Sequence, residues 1–102
     1  MTSHLPNPYN LARIENKPMS RDTCPYCNKP IEGTPHVDHI FPKKHGGPNC
    51  NINYALVCAE CNLIKNSKHP WIWYQERAMF WTPDVAKEYL ERVMYIQIVL
   101  NK

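Results

Sequence analysis

Two Cys-x-x-Cys pairs, Cys24-Pro25-Tyr26-Cys27 and Cys58-Ala59-Glu60-Cys61, set the terms on which this chain of 102 residues can fold. Two intervening residues let both sulfurs of a pair reach one tetrahedral ion at about 2.3 Å. A single pair would serve equally well as a thioredoxin-like redox site. Two pairs in one short chain point instead to four thiolates on a structural Zn²⁺, with a redox or iron–sulfur role as the alternative. The length leaves room for one domain with a modest core, a size at which a metal staple is often needed. The fifth cysteine, Cys50, lies between Asn49 and Asn51 and reads as a spare loop thiol.

Thirty residues separate Cys27 from Cys58, more than the roughly 15–20 of a simple zinc ribbon. A folded element is therefore expected between the knuckles. Alternating and β-branched residues over 34–40 predict a strand, which Pro42, Gly46, Gly47 and Pro48 break into a loop. Residues 54–57 predict a second, antiparallel strand, and 58–68 a helix with Cys61 in its first turn, where the dipole favours thiolate. Nine of the ten prolines lie at or before Pro70, so regular helix is expected mainly beyond it.

Within that frame, Asp38-His39-Ile40, Pro42, Gly46-Gly47, Asn53, Leu56, Cys58-x-x-Cys61-Asn62 and Lys65 resemble the signature of the HNH, or ββα-metal, endonucleases. The preceding Arg21-Asp22 and first Cys pair resemble the zinc-knuckle subtype, and Asn62 stands where the third letter of the name would place His. The resemblance covers about residues 21–68. It implies an α+β fold: a small, treble-clef-like ββα finger stapled by a four-cysteine zinc site, with a helical C-terminal extension. The expected organisation is an arm over 1–20, the core over 21–69, and an aromatic, helical extension over 70–102.

The side chains suit phosphodiester hydrolysis, which needs a deprotonated water in line with the leaving oxygen and positive charge on the phosphate. A free imidazole titrates at about pH 6.5, close to neutrality, so His39 is the expected general base. Asp38 and the Asn62 carbonyl are hard oxygen ligands for one Mg²⁺ or Mn²⁺ and leave positions open for phosphate and water. By resemblance, Asn53 would hydrogen-bond across the loop and hold the His39 backbone. In a regular strand Asp38 and His39 face opposite sides, so the strand must end, bulge or twist there. Period two puts His36 beside Asp38, as a phosphate contact or extra ligand. His4, His45 and His69 carry no weight for catalysis.

The formal net charge of +3 is weak support for a nucleic-acid partner: four thiolates remove four charges and Zn²⁺ returns two, leaving +1. The positions of the charges matter more. Lys43 and Lys44 in the loop, and Lys65 and Lys68 after Asn62, are expected to bind phosphates of a DNA substrate. The aromatics Trp71, Trp73, Tyr74, Phe80 and Trp81 are expected in the core rather than as base-stacking platforms. A final helix is expected from Thr82 as cap and Pro83 as first residue, with Val85, Tyr89, Val93, Ile96 and Leu100 as its buried stripe. No apolar leader follows Met1 and no apolar run approaches the ~20 residues of a membrane span. The expectation is a soluble, cytoplasmic nuclease acting on DNA, alone, as a homodimer or within a larger DNA-processing complex. The competing expectations are a silent zinc-stabilised binding module of such a complex and a thiol redox protein.

Overall fold

A computed structural model describes residues 16–100. Strand β1 (His36–His39) pairs antiparallel with β2 (Tyr54–Val57), in a register that sets His36 against Val57 and His39 against Tyr54. Helix α1 (Ala59–Lys65) follows β2 directly, and then α2 (Pro70–Arg77) and α3 (Pro83–Leu100). The architecture is α+β, a two-stranded hairpin backed by three helices, in agreement with the ββα expectation.

Each boundary has a local cause. The first strand is shorter than the sequence pattern implied, because it begins only after Pro35, whose ring nitrogen cannot donate to a ladder. It ends at His39, although the Ile40 amide still donates to the Asn53 carbonyl at 2.8 Å. The expected helix over 58–68 closes at Lys65, because Asn66 leaves the helical conformation at a positive φ of 53° and its amide caps the Asn62 carbonyl. Thr82 does cap α3: its hydroxyl accepts from the Val85 amide at 3.2 Å.

The core joins the hairpin, the first knuckle and the C-terminal helices. Val85, Tyr89, Val93 and Ile96 are buried along α3 as expected, but Leu100 lies at the helix end and is exposed. Trp73 and Trp81 are buried and Trp71 and Tyr74 half-buried, whereas Phe80 is 64% exposed and lies outside the core. The reason is that 78–80 form a 3-10 turn between α2 and α3 with no buried residue. Arg92, internal to the stripe, is buried because its guanidinium donates to the Ile52 carbonyl at 2.9 Å and to Glu88 at 2.8 Å. Of the N-terminal arm, residues 16–20 are described: Met19 is fully buried and bridges β2 through Tyr54 and Leu56, while Leu11 and Ile14 lie outside the described residues. Among the described residues no helix is long and apolar enough to cross a membrane.

Helix α2 starts on His69, whose Nδ1 accepts from the Trp71 amide at 3.2 Å. Only an imidazole with that nitrogen unprotonated can cap in this way. Burial, with the charges of His45 and Lys65 adding to it, lowers the pKa of His69 below its ordinary 6.5. The unfolded chain therefore binds this proton first. The stability contributed by neutral His69 is complete above pH 6.5 and is lost as the pH falls through the lower folded value. An NMR titration should show the His69 ring protonating below pH 6.5 with loss of the Trp71 amide bond; protonation at or above 6.5 would contradict the capping role.

Candidate metal and nuclease site

The four knuckle sulfurs of Cys24, Cys27, Cys58 and Cys61 lie within 4.8 Å of one another. Tetrahedral thiolates around one Zn²⁺ sit about 3.8 Å apart, given Zn–S bonds of about 2.3 Å, and the Cys27 and Cys58 sulfurs are 3.9 Å apart. That separation is far beyond the ~2.05 Å of a disulfide. Local backbone builds the cluster. Asn28 takes a left-handed conformation at φ 62°, closing the first knuckle with its amide on the Cys24 carbonyl at 2.7 Å. The amides of Cys58 and Cys61 point at the sulfurs of Cys24 and Cys58, both at 3.4 Å. Burial pushes the Cys24 and Cys61 thiols to higher pKa; a zinc ion reverses that effect by binding the thiolates directly. The donor set and its spacing fit zinc. Cys50 is exposed and apart from the cluster.

Asp38 and His39 do face opposite sides of β1, which ends there without a bulge. Asp38 points inward and is 3% exposed. Its Oδ2 accepts from the Tyr26 hydroxyl at 2.7 Å, and the Lys65 ammonium lies 3.3 Å from Oδ1 and 3.2 Å from Oδ2. His39 is half-buried on the other face, its ring edge-on to Tyr54 with centroids 5.1 Å apart. Its Nε2 is 2.8 Å from Asn49 Oδ1. An amide oxygen only accepts, so in this contact Nε2 is the donor.

The loop after β1 is held by Asn53. Its Oδ1 accepts from the Phe41 amide at 2.8 Å, and its Nδ2 donates to the carbonyls of Phe41 and Pro48 at 3.0 and 2.9 Å. The side chain thus fastens the chain two residues after His39. Gly47 packs so closely that an added Cβ would lie 1.7 Å from the Phe41 carbonyl oxygen. Only glycine fits there.

Lys65 is the clearest correction to the sequence expectations. It is fully buried and so makes no surface for a phosphate. Besides Asp38, its ammonium donates to the His39 and Ile40 carbonyls at 2.9 and 3.3 Å. Burial pushes the Asp38 pKa up, with Lys65 and the Tyr26 hydroxyl pulling it back. Burial lowers that of Lys65, with Asp38 opposing. Four oxygens around one ammonium are the arrangement of an ion pair, each charge compensating the other. The signal missed in the sequence was its i,i+4 spacing from Cys61, which puts Lys65 on the buried, cysteine-bearing side of α1. Removing one partner of a buried pair leaves an uncompensated charge. Lys65→Met should therefore lower the unfolding free energy by about 3–5 kcal/mol, with Asp38→Asn/Lys65→Met recovering much of the loss. Urea melts that show the single variant as stable as the parent would refute the ion pair.

Asn62 lies one helical turn before Lys65 in α1, which places their Cβ atoms about 5–6 Å apart. Its side chain is half-buried and hydrogen-bonds to none of the described residues. Asp38 and Asn62 are both oxygen donors, but the carboxylate is buried and both its oxygens lie within 3.3 Å of the Lys65 ammonium, so a divalent cation would have to displace that lysine. His36 is exposed at the start of β1. Lys43 and Lys44 are exposed on a 3-10 turn that Gly46 closes at φ 83°. Lys68 pairs with Glu76 at 2.6 Å and lies over the Trp73 ring at 5.6 Å. A shallow groove of about 400 Å³ runs between Lys44, His45, Leu63, Lys68, His69 and Ile72, and no carboxylate lines it.

A hairpin and helix closed by a four-cysteine cluster compatible with zinc, with a histidine at the end of the first strand, are consistent with a ββα-metal finger. Residues 24–68 match the model of the HNH endonuclease family. No curated protein and no solved structure matches the chain.

Proposed function

We propose that this protein is an endonuclease that hydrolyses DNA phosphodiester bonds, leaving 5′-phosphate and 3′-hydroxyl ends. The observation that carries it is the His39 imidazole at the end of β1, its Nε2 2.8 Å from Asn49 Oδ1, within a segment matching the HNH endonucleases. His39 takes the proton from the attacking water. Asn49 keeps the ring in the tautomer that can do so, and Asn53 holds the loop that follows. With Lys65 displaced from the carboxylate, Asp38 and Asn62 would hold one Mg²⁺ or Mn²⁺, which supplies positive charge to the phosphate and the departing oxygen. Lys43 and Lys44 bind flanking phosphates, and the carboxylate-free groove beside Lys44 and Lys68 continues that path. Lys68 contributes less, since Glu76 already neutralises it. His36, two residues before Asp38, is a further phosphate contact or ligand.

Supercoiled, linear and branched DNA should be cut with Mg²⁺ or Mn²⁺ and spared with EDTA, and end-group mapping should find 5′-phosphates. Failure on all three substrates with both ions would overturn the proposal. One observation favours a second reading, a silent zinc-stabilised DNA-binding module: the carboxylate of Asp38 is buried and already faces an ammonium. That reading expects DNA binding unaffected by divalent ions and no cutting.

A further inference from the structure

The groove between the loop after β1 and helices α1 and α2 combines aliphatic and cationic side chains. Leu63 is 79% exposed, Ile64 41% and Ile72 48%, so three large aliphatic groups stand in water along one groove of about 400 Å³. Contiguous apolar surface left uncovered in this way marks a binding face. Lys44 and Lys68 line the same groove, and Glu76, which pairs with Lys68, lies outside the lining. His45 adds an exposed ring that is held from behind. It meets His69 edge-on at 5.1 Å, and His69 meets the buried Phe41 in the same way at 5.4 Å.

We propose that this groove takes the unpaired bases of a DNA strand, so that the substrate is single-stranded DNA or a duplex carrying an unpaired stretch. The proposal rests on the reading of DNA as substrate. Phosphates account for Lys44 and Lys68 but not for three aliphatic side chains beside them. An intact duplex turns its phosphates outward and keeps its base faces stacked on one another, so it offers those side chains little to cover. Bases released from the stack present flat apolar faces, while their strand still carries phosphates for the lysines. The His45 ring gives such a base a surface to stack on. Position agrees with this. Lys44 lies on the loop that β1 enters after His39, and Leu63 directly follows Asn62 on α1, so a strand held by the loop runs on into the groove.

Leu63→Ala/Ile72→Ala removes aliphatic surface without touching a lysine or His39. Both side chains are exposed on helices, where alanine is the best former, so the fold should survive. Binding is read on the zinc-loaded full chain by fluorescence anisotropy, without added divalent cation so that no strand is cut. The probes are a labelled oligo-dT strand and a dA·dT duplex of the same length. The parent should bind the strand more tightly, although the duplex has the higher charge density and would win on phosphates alone. The double variant should lose about 5–30-fold on the strand, the scale of partly burying two aliphatic side chains, and nothing on the duplex. A parent that favours the duplex, or a double variant that holds the strand like the parent, would overturn the proposal and leave the nuclease reading standing. A parent that binds the strand through Leu63 and Ile72 yet cuts no DNA with Mg²⁺ or Mn²⁺ would do the reverse. If the double variant loses self-association in sedimentation while its strand affinity stays intact, the groove belongs to a second copy and the proposal fails. On the parent itself, the Leu63 and Ile72 methyl resonances must shift further with the strand than with the duplex, and methyls that stay still refute base capture.

Discussion

His39→Ala is expected to slow DNA cleavage by about 10²–10⁴-fold, the contribution of a well-placed general base, or about 3–5 kcal/mol on the barrier. The fold should survive. The imidazole is half-buried, and its ring contacts are Asn49 Oδ1 and the edge of Tyr54. The backbone it sits on is held independently, by Lys65 on the His39 carbonyl and by Asn53 on Phe41. Circular dichroism and zinc content should match the parent, and DNA binding measured with Ca²⁺ should be nearly unchanged. Asn49→Ala should cost less, since it frees the ring to rotate and change tautomer without removing the base. If His39→Ala cuts plasmid as fast as the parent, another group deprotonates the water and the assignment of the base is wrong.

The second large effect is on stability. Stripping zinc with a chelator, or Cys24→Ser, should abolish cooperative melting near neutral pH. Structural zinc in small domains contributes about 10–16 kcal/mol of apparent binding free energy, against a net stability of about 5–15 kcal/mol for an ordinary domain. The cluster has that leverage here because its cysteines come from both ends of the hairpin unit. Cys24 and Cys27 precede β1, and Cys58 and Cys61 bracket the start of α1. Without the ion the fully buried Cys24 loses its partners and Tyr26 loses its mount. Zinc should restore folding to the stripped parent but not to Cys24→Ser, whereas Cys50→Ser should bind zinc normally because Cys50 is exposed and outside the cluster. A metal-stripped protein with an unchanged thermal melt would show that the packed core suffices and the cluster is incidental. The sulfur separation of 3.9 Å also sets the expectation for a thiol redox protein, which would need a reducible disulfide here.

Much of the frame was legible because it is written in short-range chemistry. The spacing of the Cys pairs is a local constraint, and both pairs converge as their spacing required. Strand β2 has the bounds its residues implied, and Thr82 caps α3 as its hydroxyl and the following proline suggested. Asn53 was expected to bond across the loop, and it does so with three bonds, although to Phe41 and Pro48 rather than to His39 itself. Exposure was less legible. Phe80 and Leu100 are apolar and were placed inside, but one ends up on a connecting turn and the other at a helix end. Apolar character alone does not say whether a neighbour exists to cover a side chain.

Residue identity and spacing were enough to specify the hairpin, the helix and the cysteine cluster that joins them, because knuckle spacing, strand pairing and helix capping act over a few residues. They did not reveal what surrounds Asp38. Lys65 reads in the sequence as a phosphate-binding surface cation, and Tyr26 is marked only by its place between two cysteines. Packing α1 and the first knuckle against β1 puts both on one carboxylate, the lysine fully buried and the phenol 2.7 Å away. A charge is kept inside only when an opposite charge meets it there, and that meeting joins residues 26, 38 and 65 across three elements that no local pattern connects.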